Sequence, residues 1–511
     1  MDDAVVVGSG PNGLAAAVTL ARVGVRVTVL EAEETVGGGA RTLDLGLTPG
    51  LLHDVCSAVH PLAWASPFFR AFDLEAHGVE LRTPEVSYAQ PLDGRPAAVA
   101  FRDLTRTVER LGPDGPAWRA LLRTASRQWE AVVALGMGDK RSVPPGLGSP
   151  AALVGALRFG LGVLEQGGPW WGRRWRTEEA AALLTGVAAH AITPLPSLGA
   201  AGTAVLLATL AHAGVGSSTA DDGGAGGGRQ GRGTCDGGWP LPRGGSQAIT
   251  DALVRDLRAH GGDVVTGHRV TSRGDLPAAS AYLFDSTPRT LLQVLGDEVS
   301  PATRRAFSRF RHGDAAAKVD FVLDGPVPWA DPEGDGAVHR AGTLHVGGTR
   351  EQMVRSEGEV HAGRHAERPM VLVSDPTVVD RDREAGGVRP LWTYAHVPTG
   401  STVDVTEAVT AQIERFAPGF RDVVVASRCV PAAQMADHNQ NYVVGDIAAG
   451  AATMWQMIAR PTVSRNPYRA TGGVYLCSAS APPGPGVHGM GGYHAARRAL
   501  REVFGVRIPA L

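Results

Sequence analysis

The chain has 511 residues, with 49 Lys and Arg against 51 Asp and Glu and a formal charge of −2. That balance offers no basic field to a polyanion and no charged tail, so nucleic acid is not an expected partner. The four cysteines, Cys56, Cys235, Cys429 and Cys477, are far apart and form no CxxC, which excludes a dithiol centre and a zinc site by spacing and fits a reducing, cytoplasmic setting.

Such a length exceeds one ordinary core and predicts two domains. No apolar run reaches the length of a membrane span, and the first strand starts too close to Met1 for a signal peptide, so a soluble protein is expected.

From the N-terminus, Val5-Val6-Val7-Gly8-Ser9-Gly10-Pro11-Asn12-Gly13 predicts a strand and a tight glycine turn. A helix over Leu14–Arg22 and a second strand ending at Glu31 follow. This is a βαβ unit for a dinucleotide. Gly8 permits the turn, Gly10 admits a pyrophosphate to the backbone, and Gly13 lets helix and strand pack closely. The free N–H groups at the helix start face the phosphate. Glu31 stands where a carboxylate accepts ribose hydroxyls and repels a 2′-phosphate, which argues against NADP.

The next residues are Glu31-Ala32-Glu33-Glu34-Thr35-Val36-Gly37-Gly38-Gly39-Ala40-Arg41-Thr42. Here the chain resembles the flavin-containing amine oxidase and phytoene desaturase superfamily. The resemblance implies FAD as cofactor, a second glycine cluster containing Gly38 around the pyrophosphate and ribityl chain, and Arg41 as the phosphate arginine. The segments Asp54–Pro61 and Ala65–Phe69 extend the likeness to the bacterial phytoene desaturase-like branch. His60, just after the flavin wrap, is a candidate for proton work, as are His190 and His488; a buried core histidine is the commoner fate of each.

Residues Arg102–Leu135 read as helical, and the apolar stretches Ala151–Glu165 and Gly199–Ala213 read as buried helices or walls of a greasy cavity. Trp170–Arg176 mixes aromatics with arginines in the manner of an interfacial anchor, which suggests peripheral membrane contact; a solvated turn with inward tryptophans is the blander alternative. A low-complexity stretch at 220–233 cannot form a core and reads as a loop.

Trp239–Ser246 then leads into an amphipathic helix over Ala248–His260 and a strand through Val270. By resemblance this is the return to the FAD domain, with Val270 against adenine and Ala281–Pro288 as the closing strand. Only Lys140 and Lys318 are lysines. Where arginine serves every generic cation, Lys318 in the strand pattern Ala315–Leu323 stands out. It resembles the amine oxidase lysine that holds a water beside the flavin, a place where a deprotonatable amine matters.

Asn439–Ile447, including Asp446, resembles the segment that carries the chain back to the flavin. An apolar strand at Gly473–Cys477, a Pro-Gly segment and a helix over Tyr493–Val503 complete the chain. The resemblance aims the start of that helix, with Met490 and Gly491, at the flavin ring, where its dipole stabilises negative charge.

The expected architecture is α/β. A Rossmann-type FAD-binding domain of the glutathione reductase-like kind, a parallel sheet with a β-meander, is formed by 1–55, 236–310 and 425–511. It is interleaved with an α+β substrate domain of 56–235 and 311–424. The expected activity is hydride abstraction from a C–H bond of an apolar small molecule, as in phytoene desaturases, with oxygen, a quinone or another carrier reoxidising the flavin. Amine oxidation is the alternative, and redox-neutral isomerisation stays open. Rab GDP-dissociation inhibitors use this fold for binding without redox chemistry, so a non-enzyme reading stands beside these. No metal-ligand spacing is present.

Overall fold

A computed structural model describes residues 3–214, 237–332, 334–508 and 511. The loop expected at 220–233 and Cys235 lie outside the described residues.

The main strands, in chain order, are β1 (Asp3–Val7), β2 (Arg26–Leu30), β3 (Val86–Leu92), β4 (Arg95–Phe101), β5 (Asp263–Val265), β6 (Ala281–Phe284) and β7 (Ala315–Leu323). They continue with β8 (Thr343–Val346), β9 (Val371–Ser374), β10 (Arg389–Val397), β11 (Val424–Val430), β12 (Arg469–Thr471) and β13 (Val474–Leu476). The helices that matter below are α1 (Pro11–Ala21), α2 (Gly115–Arg127), α3 (Pro150–Gln166), α4 (Glu178–Ala189), α5 (Leu198–Ala211), α6 (Gln247–Ala259), α7 (Arg350–His361), α8 (Met454–Ile458) and α9 (Met490–Val503).

The first sheet runs β12-β13-β6-β1-β2-β5. Strands β5, β2, β1, β6 and β13 are all parallel, and β12 closes the edge antiparallel. Strands from the beginning, middle and end of the chain therefore lie side by side. Val5, Val6 and Val7 are buried, as expected of a central strand covered on both faces. Helix α1 is almost wholly buried because its small residues let neighbours approach. At Gly492 of α9 an added Cβ would lie 1.8 Å from the Asn12 carbonyl oxygen, so the last helix rests directly on the first.

The second sheet runs β11-β7-β10-β9-β8-β3-β4. It is antiparallel except where β8 pairs with β3. Its strands alternate. Val319, Phe321, Val371, Val373, Leu391 and Ala395 point into one apolar core, while the residues between them face the other way.

Three expectations shift. β11 pairs with β7, so 424–430 lies in the second sheet and not with the first, where the expected boundary at 425 had put it. Between β5 and β6 the chain takes turns and one short 3-10 turn at Arg273–Asp275, with no meander strands among the described residues. The stretch 151–165 is helical as expected, yet Leu157, Leu161 and Leu164 of α3 are exposed and not buried.

Candidate active site

A cavity of about 360 Å³ opens at the carboxyl ends of β1, β2 and β6 and continues to the face of the second sheet. Ligands bind at this edge in open parallel sheets because helix N-termini and loops converge there. Gly8, Ser9, Gly10, Glu31, Gly38 and Val270 all line it.

The glycine turn has no room for side chains. A Cβ on Gly13 would fall 2.2 Å from the Gly8 carbonyl oxygen, and one on Gly10 would fall 2.5 Å from Asp285 Oδ2. Gly13 thus supports the turn from beneath, and its N–H donates to Asp285 at 2.9 Å. Glu31 is buried and accepts from the backbone N–H groups of Ser9 at 2.8 Å and Glu33 at 2.9 Å. Its carboxylate is held at the cavity wall. Arg41 is buried behind that wall: it donates to the carbonyls of Gly38, at 3.0 Å, and His438, fixing the second glycine cluster rather than facing the cavity.

The distal contribution comes from Ala479, Pro485, Gly486 and Val487. Met490 and Gly491 are not among the lining residues. A Cβ on Gly491 would meet the Cys477 carbonyl oxygen at 2.8 Å, so this glycine serves close packing of α9, and the loop before the helix faces the cavity. Arg460, buried, draws this loop in by donating to the carbonyls of Ala479 at 2.8 Å and Ala448 at 3.0 Å. Asp446 gathers the same turn, accepting from the N–H groups of Gly313, Ala448 and Gly450.

At the other end the second sheet presents two cross-strand rows. One is Lys318, Tyr394, Leu372 and His345; the other is Asp320, Trp392, Ser374 and Thr343. Thr343, Leu372, Trp392 and Tyr394 line the cavity with Cys56, Val59, His190 and Ile447. Lys318 lies just behind this wall, paired with Asp320, its ammonium 5.3 Å from the Trp392 ring centre. His190 Nε2 lies 2.8 Å from His345 Nε2. Burial pushes His190 down to about 3, so this pair is neutral and shares a single bridging hydrogen.

His60 and His488 do not reach the cavity. His60 Nε2 is 2.7 Å from Ser246 Oγ, which donates to the Ser57 carbonyl, so His60 braces the lining from outside. His488 Nδ1 accepts from the Met490 N–H at 3.1 Å and secures the entry to α9. Burial lowers both to about 4.

Asp285 is the residue that sequence analysis missed. It follows β6, and its partner Gly13 is remote in the chain, so nothing local marks it. Burial first, then the nearby Glu31 charge, pushes its carboxyl up to about 7, against the Gly13 N–H bond that favours ionisation. A carboxyl raised on folding makes the native state bind the extra proton. Stability from this group is full below the unfolded value of 3.8 and declines as pH rises towards 7. Asp285→Asn should therefore gain in melting temperature relative to the parent as pH is raised from about 5 to about 8. A constant difference across that range contradicts the assignment.

Comparison with known proteins agrees with this geometry. Residues 6–72 match the model for the NAD(P)-binding Rossmann-like domain. The matched region begins within β1, covers α1 and β2 and ends at residue 72. Among curated relatives, the rat pyridine nucleotide-disulfide oxidoreductase domain-containing protein 2 is 25% identical over 52% of this chain and 52% of its own length, so that match spans about half of the relative. The mouse protein of that name is 22% identical over 98% of this chain and 94% of its own. Among solved structures, a putrescine oxidase double mutant has a TM-score of 0.58 at 15% identity, covering 99% of both chains, a likeness of fold. Despite the relatives' name, Cys56, Cys429 and Cys477 are free thiols here. No helix among the described residues is long and apolar enough to cross a membrane.

Proposed function

We propose that the protein is an FAD-dependent oxidoreductase that removes a hydride from a C–H bond of a mainly apolar small molecule. The observation that carries this reading is that the dinucleotide cradle and a largely apolar chamber are one cavity. The cradle suits the group: Gly10 and Gly38 leave its floor bare, Glu31 stands at the ribose place, and Asn12 Oδ1 is buried with no hydrogen-bond partner among the described residues. Bound there, FAD supplies a two-electron acceptor.

The chain's own contribution is placement. Trp392, Tyr394, Leu372 and Val59 exclude water from the substrate end. Thr343 Oγ1 and Trp392 Nε1, on two residues that line the chamber, are buried without partners among the described residues, so a polar group on the substrate has partners there. The carboxylates of the lining, Glu31, Glu33 and Asp285, are all at the nucleotide end. A diamine would find no anionic partner on the chamber wall, which favours an apolar substrate over a cationic one. The His190–His345 pair, kept neutral by burial, adds an uncharged hydrogen-bonding edge to this end of the chamber.

Amine oxidation is the second reading, favoured by the fold shared with putrescine oxidase and by Lys318 behind Trp392. Anaerobic mixing with apolar alkenes and alcohols on one side and primary amines on the other separates them. Bleaching of the flavin by the apolar set supports the proposal; bleaching by amines alone, with peroxide and ammonia released in air, overturns it.

A further inference from the structure

Helix α3 is packed the wrong way round for a helix in water. Its small residues Ala152, Gly155 and Gly162 face the protein; a Cβ on Gly155 would lie 2.4 Å from Gln128 Cβ. Phe159 and Val163 lean on the core, but its leucines face outward. Leu153, Leu157, Leu161 and Leu164 follow one another at three- and four-residue spacing, with Leu157 62% and Leu164 61% exposed. An ordinary surface helix turns such a stripe inward, and a continuous exposed one marks an interaction surface.

A second element continues it. Helix α8 buries Gln456 and exposes Met454, Trp455, Met457 and Ile458, with Trp455 67% exposed. Both helices pack on α5. Arg141 joins the segment before α3 to the one after α8, donating to the carbonyls of Ile458 and Thr462, and beside it Val143 is 84% exposed.

The charge around this face is predominantly positive, although the helix Trp129–Met137 that also packs on α3 carries the exposed Glu130. Between 138 and 176 the basic residues are Lys140, Arg141, Arg158, Arg173, Arg174 and Arg176, against Asp139 and Glu165. Both acids are already paired, with Arg498 and Arg174. Helix α2, packed on α3, adds exposed Arg119 and Arg123. Trp170 is exposed beside the Arg173 guanidinium.

We infer that α3, Trp170 and α8 form a docking face for an anionic lipid surface. Leucine, methionine and tryptophan side chains enter the acyl boundary, while the surrounding arginines meet lipid phosphates. A second copy fits less well, because it would bring the same excess of positive charge against this one. The inference is independent of the cofactor and substrate.

Flotation with phosphatidylcholine vesicles, with and without phosphatidylglycerol, tests it on the whole protein. The protein should float with the phosphatidylglycerol vesicles. Leu157→Glu/Leu161→Glu, on exposed positions that leave the core intact, should lower the bound fraction at least about tenfold. Arg158→Gln/Arg173→Gln should abolish the preference for anionic lipid. No flotation, or flotation unchanged in the leucine variant, overturns the inference. So does a dimer in lipid-free sedimentation that the leucine variant splits while vesicles bind neither form, since a second copy then covers the face.

Discussion

Lys318→Met should destabilise the protein by about 3–5 kcal/mol, because it strands the Asp320 carboxylate in a site from which water is excluded. The two side chains are each 3% exposed and pair directly. The nearest other cation is His53, whose Nδ1 is 3.6 Å from Asp320 and which substitutes only when protonated. Replacing both partners, as in Lys318→Met/Asp320→Leu, should recover most of the loss, since no charge is left buried. Chemical denaturation measures both. An unchanged midpoint in the single variant would show that the pair is not closed in solution. The double variant also isolates chemistry from stability. If Lys318 acts at the flavin through the Trp392 wall, the folded double variant binds FAD with unchanged affinity and is reduced more slowly; equal reduction rates assign Lys318 to structure alone.

The second large effect belongs to Gly492→Ala. The new methyl would sit 1.8 Å from the Asn12 carbonyl oxygen and 2.9 Å from the Ala16 nitrogen, both backbone atoms of α1 that no rotamer change can move. Helices α1 and α9 must separate, at a cost of about 3 kcal/mol. Asn12 lines the cavity, so FAD affinity should fall with stability. Gly160→Ala in α3 is the control: a Cβ there meets nothing within 4 Å, and the change should stabilise by up to about 1 kcal/mol through helix propensity. Equal behaviour of the two variants in thermal melts would contradict close contact between the chain's first and last helices.

What was legible in the sequence follows the range of the interactions. The β1–α1–β2 unit and Glu31 are written in contiguous residues, whereas Val270 was assigned by the resemblance alone and is found lining the cavity. Asp285 was hidden because its meaning comes from Gly13. The pairing of β11 with β7 joins strands about a hundred residues apart, and no local pattern announces it. The chamber wall was readable and overlooked: Thr343 and His345, then Trp392, Tyr394 and His396, alternate at the strand period with Leu344, Leu391, Thr393 and Ala395. Helix α3 misled for a physical reason. Apolar composition suggests burial, yet Ala152, Gly155 and Gly162 mark the packed side, and only the neighbours of Gly155 and Gly162 reveal it.

The account rests on both ends of the chain closing on one flavin dinucleotide. Titration of the purified protein with FAD, followed by flavin absorbance and fluorescence, tests this most directly. One FAD per chain, with binding lost in Gly13→Val and weakened in Gly492→Ala, is the predicted result. A colourless protein that binds no FAD, or one whose affinity is indifferent to both glycines, would contradict it.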